Sequence, residues 1–210
     1  SPFTTWTRGQ AWVITGYAEL LEFMAVLPAS EWDAVGGRDK VEAMMLKAAR
    51  ATCDFWIEQT PTDGIPYWDT GAPGLVHLGD FLNRPADPYN AHEPVDSSAA
   101  CIAGQGLLRL GRYLIAKGDK AAGQRYWQAG LTVAESLFRE PYLSTSANHQ
   151  GLVLHSVYHR PNGWDHVPAG QKVPCGESSM WGDYHALELA LYLRRVIKDE
   201  SYLTFFGGLK

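Results

Sequence analysis

Near the start of the chain, Arg8 stands between two tryptophans in Trp6-Thr7-Arg8-Gly9-Gln10-Ala11-Trp12. If a helix begins there, its free backbone N–H groups already favour an anion. A guanidinium at that point takes a carboxylate through paired hydrogen bonds, and the indoles of Trp6 and Trp12 offer flat stacking faces. The trio suits the carboxylate and ring of a uronic acid. The plainer alternative is a helix start with two core tryptophans and a surface arginine.

A second group is Leu154-His155-Ser156-Val157-Tyr158-His159-Arg160-Pro161. Alternation places His155, Val157 and His159 on one side, with Ser156, Tyr158 and Arg160 on the other, the pattern of a short strand turning a polar side to a cleft. Two histidines four apart would suit a metal on a helix, but the surrounding Pro and Gly argue against a helix, and no metal site is expected. Three carboxylates draw attention: Asp69, Asp96 and Asp183. Paired carboxylates act as acid and base when their surroundings split their pKa values, yet spacing sets no two of these at a catalytic separation. Asp96, ahead of Ser97 and Ser98, reads as a helix cap. Asp183, in Trp181-Gly182-Asp183-Tyr184, reads as a hydrogen-bond anchor. No phosphate-cradling glycine loop, G-x-S-x-G elbow or H-E-x-x-H is present, and no cofactor is implied.

Helices must position these residues. Apolar side chains recur at helical spacing over about 8–27, 39–59, 96–117, 119–139 and 178–198, with Asp39 placed as the N-cap of the second. Gly118 suits the end of the third, so the third and fourth are joined tightly. Long irregular stretches intervene. Residues 60–95 hold six of the twelve prolines, and 140–177 hold His149, His155, His159 and His166. Long ordered loops are uncommon in compact domains and usually functional. Tight and long connections alternate, as in helical hairpins arranged in a ring. The fold class expected is all-α, an α/α barrel.

Composition bounds the rest. A content of 46% hydrophobic and 20% charged residues excludes a disordered tail. A net charge of −5 with scattered lysines argues against a nucleic-acid or anionic-membrane partner. No apolar run is long enough to span a bilayer. Cys53, Cys101 and Cys175 show neither zinc spacing nor an even count, so they read as small hydrophobes. Eight tryptophans exceed what a core of this size needs, and aromatic faces stack on sugars.

Five segments then occur in a familiar order: Trp6 to Trp12; Gly64-Ile65-Pro66-Tyr67-Trp68-Asp69; Asp96-Ser97-Ser98-Ala99-Ala100 leading to Gly106-Leu107-Leu108; Tyr158-His159; and Trp181-Gly182-Asp183-Tyr184. Together they resemble the unsaturated glucuronyl hydrolases of glycoside hydrolase family 88, over essentially the whole chain. The resemblance implies a barrel of six helical hairpins, the (α/α)6 toroid. It also implies hydration of the C4=C5 vinyl ether in a Δ4,5-uronate, on oligosaccharides released by polysaccharide lyases. The carboxylate-separation rule for ordinary glycosidases does not apply to such chemistry. Carried over by motif, Trp6, Arg8, Trp12, Tyr158 and His159 are implied substrate-binding residues. Trp181, Gly182 and Asp183 are implied to pack the last helix into the ring.

One departure matters. The family's catalytic aspartates precede the Trp-x-Arg-Gly-Gln-Ala-Trp motif, which here begins at residue 6. The expectation is therefore that residues 1–210 are the C-terminal half of a single barrel domain, with no catalytic residue in this chain. Its partners would be the N-terminal half of the same barrel, as a separate or nicked chain, and an unsaturated oligosaccharide. An open half-ring would expose apolar helix faces that the missing hairpins cover. The alternatives are a rhamnogalacturonyl hydrolase-like enzyme of family 105 type and a non-catalytic carbohydrate-binding remnant. Arg160 and Lys172 would favour a sulfated sugar. The resemblance implies a bacterial setting, cytoplasm or periplasm.

Overall fold

A computed structural model describes residues 4–204; the extreme ends of the expected 1–210 domain lie outside the described residues. Five α-helices carry the fold: α1 (Thr7–Val26), α2 (Arg38–Gln59), α3 (Ser97–Ala116), α4 (Lys120–Leu137) and α5 (Met180–Ile197). All five match the apolar periodicities to within about two residues. Among the described residues, β pairing is confined to isolated bridges, Trp6 with Asp69, Tyr67 with Val95, and Leu143 with Val153. The expected all-α class is what the chain adopts.

Local chemistry explains where the helices begin. Asp96 caps α3, its side chain accepting from the backbone N–H of Ser98 and Ala99. Asp119 caps α4 through Ala122, and Ser179 caps α5 through Gly182. The expectation for α2 needs correction. Gly37 is the cap residue and Asp39 falls in the first turn, because Gly36 and Gly37 both take positive φ and deliver the chain to the helix two residues earlier. Asp39 there still meets the positive end of the helix dipole.

The third helix is the centre of the molecule. It packs on α1, α4 and α5, while α2 packs on α1. Almost every residue of α3 is buried, its small and apolar residues outnumbering the polar ones. Glycines allow its neighbours to come this close. A Cβ at Gly106 would sit 2.7 Å from the Thr15 backbone of α1. One at Gly111 would sit 2.7 Å from the Trp127 nitrogen of α4. A Gly in a helix interior costs about 1 kcal/mol relative to Ala, and the close helix approach offsets it. Ile14, Leu21, Ile102, Leu107, Leu108 and Leu189 form the fully buried centre, extended into the first long loop by Ile65. Cys53, Cys101 and Cys175 are free thiols and buried.

The outer faces of α1 and α5 contrast with that centre. Met180, Tyr184 and Leu187 are spaced along one face of α5, and they are 85%, 57% and 60% exposed. Trp12, Val13 and Leu20 on α1 are all more than two-fifths exposed. No helix among the described residues is long and apolar enough to cross a membrane.

Candidate functional site

The N-terminus of α1 is stitched to the first long loop. Thr7 donates from its backbone to the Trp68 carbonyl (3.1 Å) and from its hydroxyl to the Tyr67 carbonyl (2.9 Å). These bonds set Trp6 and Arg8 beside Trp68 and Asp69. Trp68 is itself oriented, its indole N–H donating to Glu93 Oε2 (2.8 Å), while Oε1 of the same buried carboxylate accepts from Gly74 N–H (2.8 Å). Asp69 Oδ1 accepts from Gly71 N–H (2.8 Å), forming a side-chain turn.

Arg8 is neither a surface residue nor an unpartnered one. It is buried, with Nε 3.4 Å from Asp96 Oδ2 and Nη2 donating to the Tyr158 carbonyl at 2.8 Å. Its guanidinium carbon lies 5.0 Å from the Trp6 ring centre and 4.6 Å from that of Trp181, so it makes cation–π contacts with both. Asp96, fully buried, uses Oδ1 to accept from Ser98 N–H (3.1 Å), Ser98 hydroxyl (2.5 Å) and Val157 N–H (3.4 Å). Burial raises its pKa above the ordinary carboxylate value, with the Arg8 charge and the Ser98 hydrogen bond opposing. Ser98 Oγ in turn accepts from the Trp181 indole N–H (3.0 Å). Cap, counter-charge and stacking partner are thus one connected set.

Both expected roles of the last motif are visible as contacts. Asp183 is the anchor, accepting from Leu152 N–H and Val153 N–H, each at 2.9 Å. A Cβ at Gly182 would come within 2.8 Å of Ser179 Oγ and 3.1 Å of Ser98 Cβ, so any larger residue would crowd the α5 cap and the start of α3.

The strand expected at His155–His159 does not form. His155 takes φ +68°, which breaks the alternation, and Arg160–Asn162 is a short 3-10 helix. His155 is buried against the rings of Tyr89 and Tyr142. Its Nδ1 accepts from Gly176 N–H (3.0 Å), and its carbonyl accepts from Ser97 N–H (3.2 Å) at the start of α3. Burial lowers its pKa to about 4, with the Pro141 carbonyl opposing. It is a structural histidine. Tyr158 and His159 point the other way and are exposed. Tyr158 lies near-parallel to Trp181, 5.5 Å between ring centres. His159 Nδ1 accepts from Asn162 N–H (3.2 Å).

Trp6, Arg8, Trp68, Asp69, Tyr158 and His159 line one cleft of about 550 Å³. Four of the five sequence-selected residues therefore come together. Trp12 does not join them. Six residues along α1 from Trp6, it lines a second cleft of about 380 Å³ with Glu19, Arg109, Tyr184, His185 and Glu188. Its indole meets His185 edge-on at 4.9 Å. His185 Nδ1 is 2.9 Å from Gln105 Nε2 and 3.2 Å from Glu188 Oε2, and burial lowers its pKa against the opposing Glu188 charge. Trp181 was read for packing alone, and its cation–π contact with Arg8 had no signal in spacing. Among the described residues, no three His, Cys, Asp or Glu side chains are grouped to hold a metal ion.

No family model matches the chain. Curated relatives do. The chain is 27% identical to an unsaturated glucuronyl hydrolase of Bacillus sp. strain GL1 over 95% of its own length and 42% of that protein. It is 28% identical to an unsaturated glucuronyl hydrolase of Formosa agariphila over 88% and 35%. An unsaturated chondroitin disaccharide hydrolase of Streptococcus pyogenes is 24% identical over 93% and 38%. The crystal structure of the Bacillus sp. GL1 enzyme superposes with a TM-score of 0.64, covering 98% of this chain and 43% of that one. That of the Streptococcus agalactiae unsaturated glucuronyl hydrolase gives 0.63 at 24% identity, covering 96% and 40%, a likeness of fold. The chain thus spans about two fifths of the length of the curated relatives it matches. In sequence and in helical fold, it is similar to the unsaturated glucuronyl hydrolases.

Proposed function

We propose that this chain supplies the C-terminal part of an α/α-barrel glycoside hydrolase acting on unsaturated uronyl oligosaccharides. The observation that carries the reading is the cleft where Trp6, Arg8, Tyr158 and His159 converge, on a chain whose curated relatives are unsaturated glucuronyl hydrolases. In the reaction, water adds across the C4=C5 bond of a terminal Δ4,5-uronate. The proton goes to C4 and the hydroxyl to C5, and the hemiketal so formed opens and releases the next sugar. Arg8 keeps its charge at all working pH values. Nη2 is held by the Tyr158 carbonyl and the Asp96 carboxylate lies 3.4 Å from Nε, and in this reading the guanidinium meets a polar substrate group from the cleft side. Trp6, about half exposed, packs on the sugar ring, and Tyr158 and His159 bound the cleft opposite. Trp12 lines the second cleft with residues of α5, and in the proposed enzyme these α1 and α5 walls face the remainder of the barrel.

The catalytic acid is assigned to the part of the relatives that this chain does not span. Asp69 and Asp96 are not substitutes, because Asp69 holds a turn through Gly71 and Asp96 neutralises Arg8. The test is to express residues 1–210 alone and together with the preceding part of the protein. Native mass and the loss of ultraviolet absorbance from the conjugated uronate are then followed. Assembly with turnover of unsaturated disaccharides supports the reading, and an assembled protein inert on every Δ4,5-uronate refutes it.

A further inference from the structure

Two residues of the cleft wall, Tyr158 and His159, are packed against an aromatic residue outside every motif. Trp164 follows the short helix Arg160–Asn162 and is 61% exposed. A single exposed tryptophan is ordinary on a protein surface. This one is held in place. Its ring lies 5.7 Å from Tyr158 at 30° and 4.9 Å from His159 at 42°. Asp165, the next residue, folds the turn back on the cleft by accepting from the backbone N–H of both Tyr158 and His159. Gly163 supplies the left-handed conformation (φ +64°) that the reversal requires.

The neighbouring rings of this wall also contact one another. Trp181 meets Arg8 at 4.6 Å and Tyr158 at 5.5 Å, and Tyr158 takes near-parallel contacts from both Trp181 and Trp164. Trp164 contacts the wall and still presents most of its surface to solvent. A pyranose packs its flat C–H face on such a ring, and a rigid indole loses little entropy in binding it. Arg160, part of the cleft wall four residues before Trp164, brings a planar set of donors suited to hydroxyl or acidic groups.

We propose that Trp164 is the stacking face of an outer saccharide subsite. It takes a sugar beyond the first two of an oligosaccharide whose unsaturated uronate lies at Trp6 and Arg8. The inference rests on the function proposed above and adds chain-length preference to it.

The test uses the full-length protein that contains this segment, as wild type, Trp164→Ala and Trp164→Phe. Steady-state kinetics on an unsaturated disaccharide and an unsaturated tetrasaccharide are compared, with calorimetric affinity for the saturated tetrasaccharide, which is not turned over. Trp164→Ala is expected to raise the tetrasaccharide KM, and to weaken the saturated tetrasaccharide, by about tenfold. The disaccharide KM stays within about twofold and kcat holds, which also shows that the variant is folded. Trp164→Phe restores most of the tetrasaccharide affinity. Equal losses on both lengths, or no loss on either, overturn the outer subsite while leaving the proposed function standing. A wild-type protein that neither binds nor turns over any unsaturated saccharide overturns that function and the subsite with it.

Discussion

One short motif feeds two unlike environments. Trp6 and Arg8 enter a cleft lined from the start of α1 and both long loops, with Trp181 of α5 against Arg8. Trp12, six residues on, enters a cleft lined, among the described residues, by α1, α3, α5 and the tail after α5, beside exposed Tyr184 and Leu187. In the first, charge is cancelled within the chain and the aromatic rings are packed on one another. In the second, apolar side chains stand in solvent. The contrast teaches that, in a chain spanning two fifths of its relatives' length, one wall is held by its own buried ion pair and ring contacts while another face leaves apolar side chains exposed.

The sharpest way to break this contrast is to remove the charge at the heart of the first cleft. Asp96→Ala deletes the α3 cap and leaves the Arg8 guanidinium buried without its carboxylate. Breaking a buried ion pair from one side costs about 3–5 kcal/mol, read as a lower urea midpoint at unchanged slope. Asp96→Asn keeps an acceptor for Ser98 and Ala99 and is expected to recover part of the loss. The matched change in the second cleft is Glu188→Gln. Its half-exposed carboxylate pairs with His185, so the cost is below about 1 kcal/mol. Equal losses at the two sites would erase the distinction.

Acid should act on the same wall. His155 is buried neutral with its pKa lowered to about 4, against 6.5 for an ordinary histidine. The unfolded chain therefore binds a proton that the folded chain refuses between these values. His155's contribution is intact above pH 6.5 and is lost as pH falls toward 4, by up to about 3 kcal/mol. Because the His155 carbonyl accepts from Ser97 N–H at the start of α3, the Arg8–Asp96 pair loosens with it. His155→Asn removes the titration while suiting the positive φ, since Asn tolerates the left-handed region. The variant's stability should be flatter across pH 4–6.5, and an unchanged acid slope would show that His155 is not the group responsible.

A smaller effect separates the clefts spectroscopically. The His185 ring lies 4.9 Å from the Trp12 indole, so its protonation is expected to change tryptophan fluorescence. The Glu188 charge raises the His185 pKa against the lowering by burial, so Glu188→Gln should move the fluorescence midpoint to lower pH. A midpoint that rises or stays would remove Glu188 from the pair.

Much of this was readable from residues alone, for stated physical reasons. Five helices follow from apolar periodicity, and Asp96 as a cap follows from its place ahead of Ser97 and Ser98. Asp183 as an anchor is borne out by its bonds to Leu152 and Val153. What escaped was non-local or set by backbone conformation. Asp39 lost the cap position to a pair of left-handed glycines. One positive φ at His155 dissolved a strand that alternation alone would allow. The pairing of Arg8 with Asp96, 88 positions away, and the turn that Asp165 closes on Tyr158 and His159 are contacts that spacing does not encode. The separation of Trp12 from Trp6 is the instructive case. Residues six apart on a helix differ by about 600° of rotation, roughly 120° around the axis, so a motif that looks like one site presents two faces.

The smallest expected effect on folding carries the most about assembly. Leu187→Ser and Met180→Ser lie on the exposed side of α5, at 60% and 85% exposure. In residues 1–210 alone each should change stability by less than about 0.5 kcal/mol, as surface substitutions do. If the preceding part of a barrel covers this face, each deletes buried apolar contact there, and a lost leucine side chain is worth about 2–3 kcal/mol. The double variant should then dissociate from the N-terminal part more than tenfold faster, while residues 1–210 keep their own unfolding midpoint. Substitution of exposed Val76, on the short helix Pro73–Leu78, serves as the matched surface control. If the α5 double variant and the Val76 variant leave assembly equally untouched, the exposed side of α5 is ordinary surface, and the second cleft does not face the rest of the barrel.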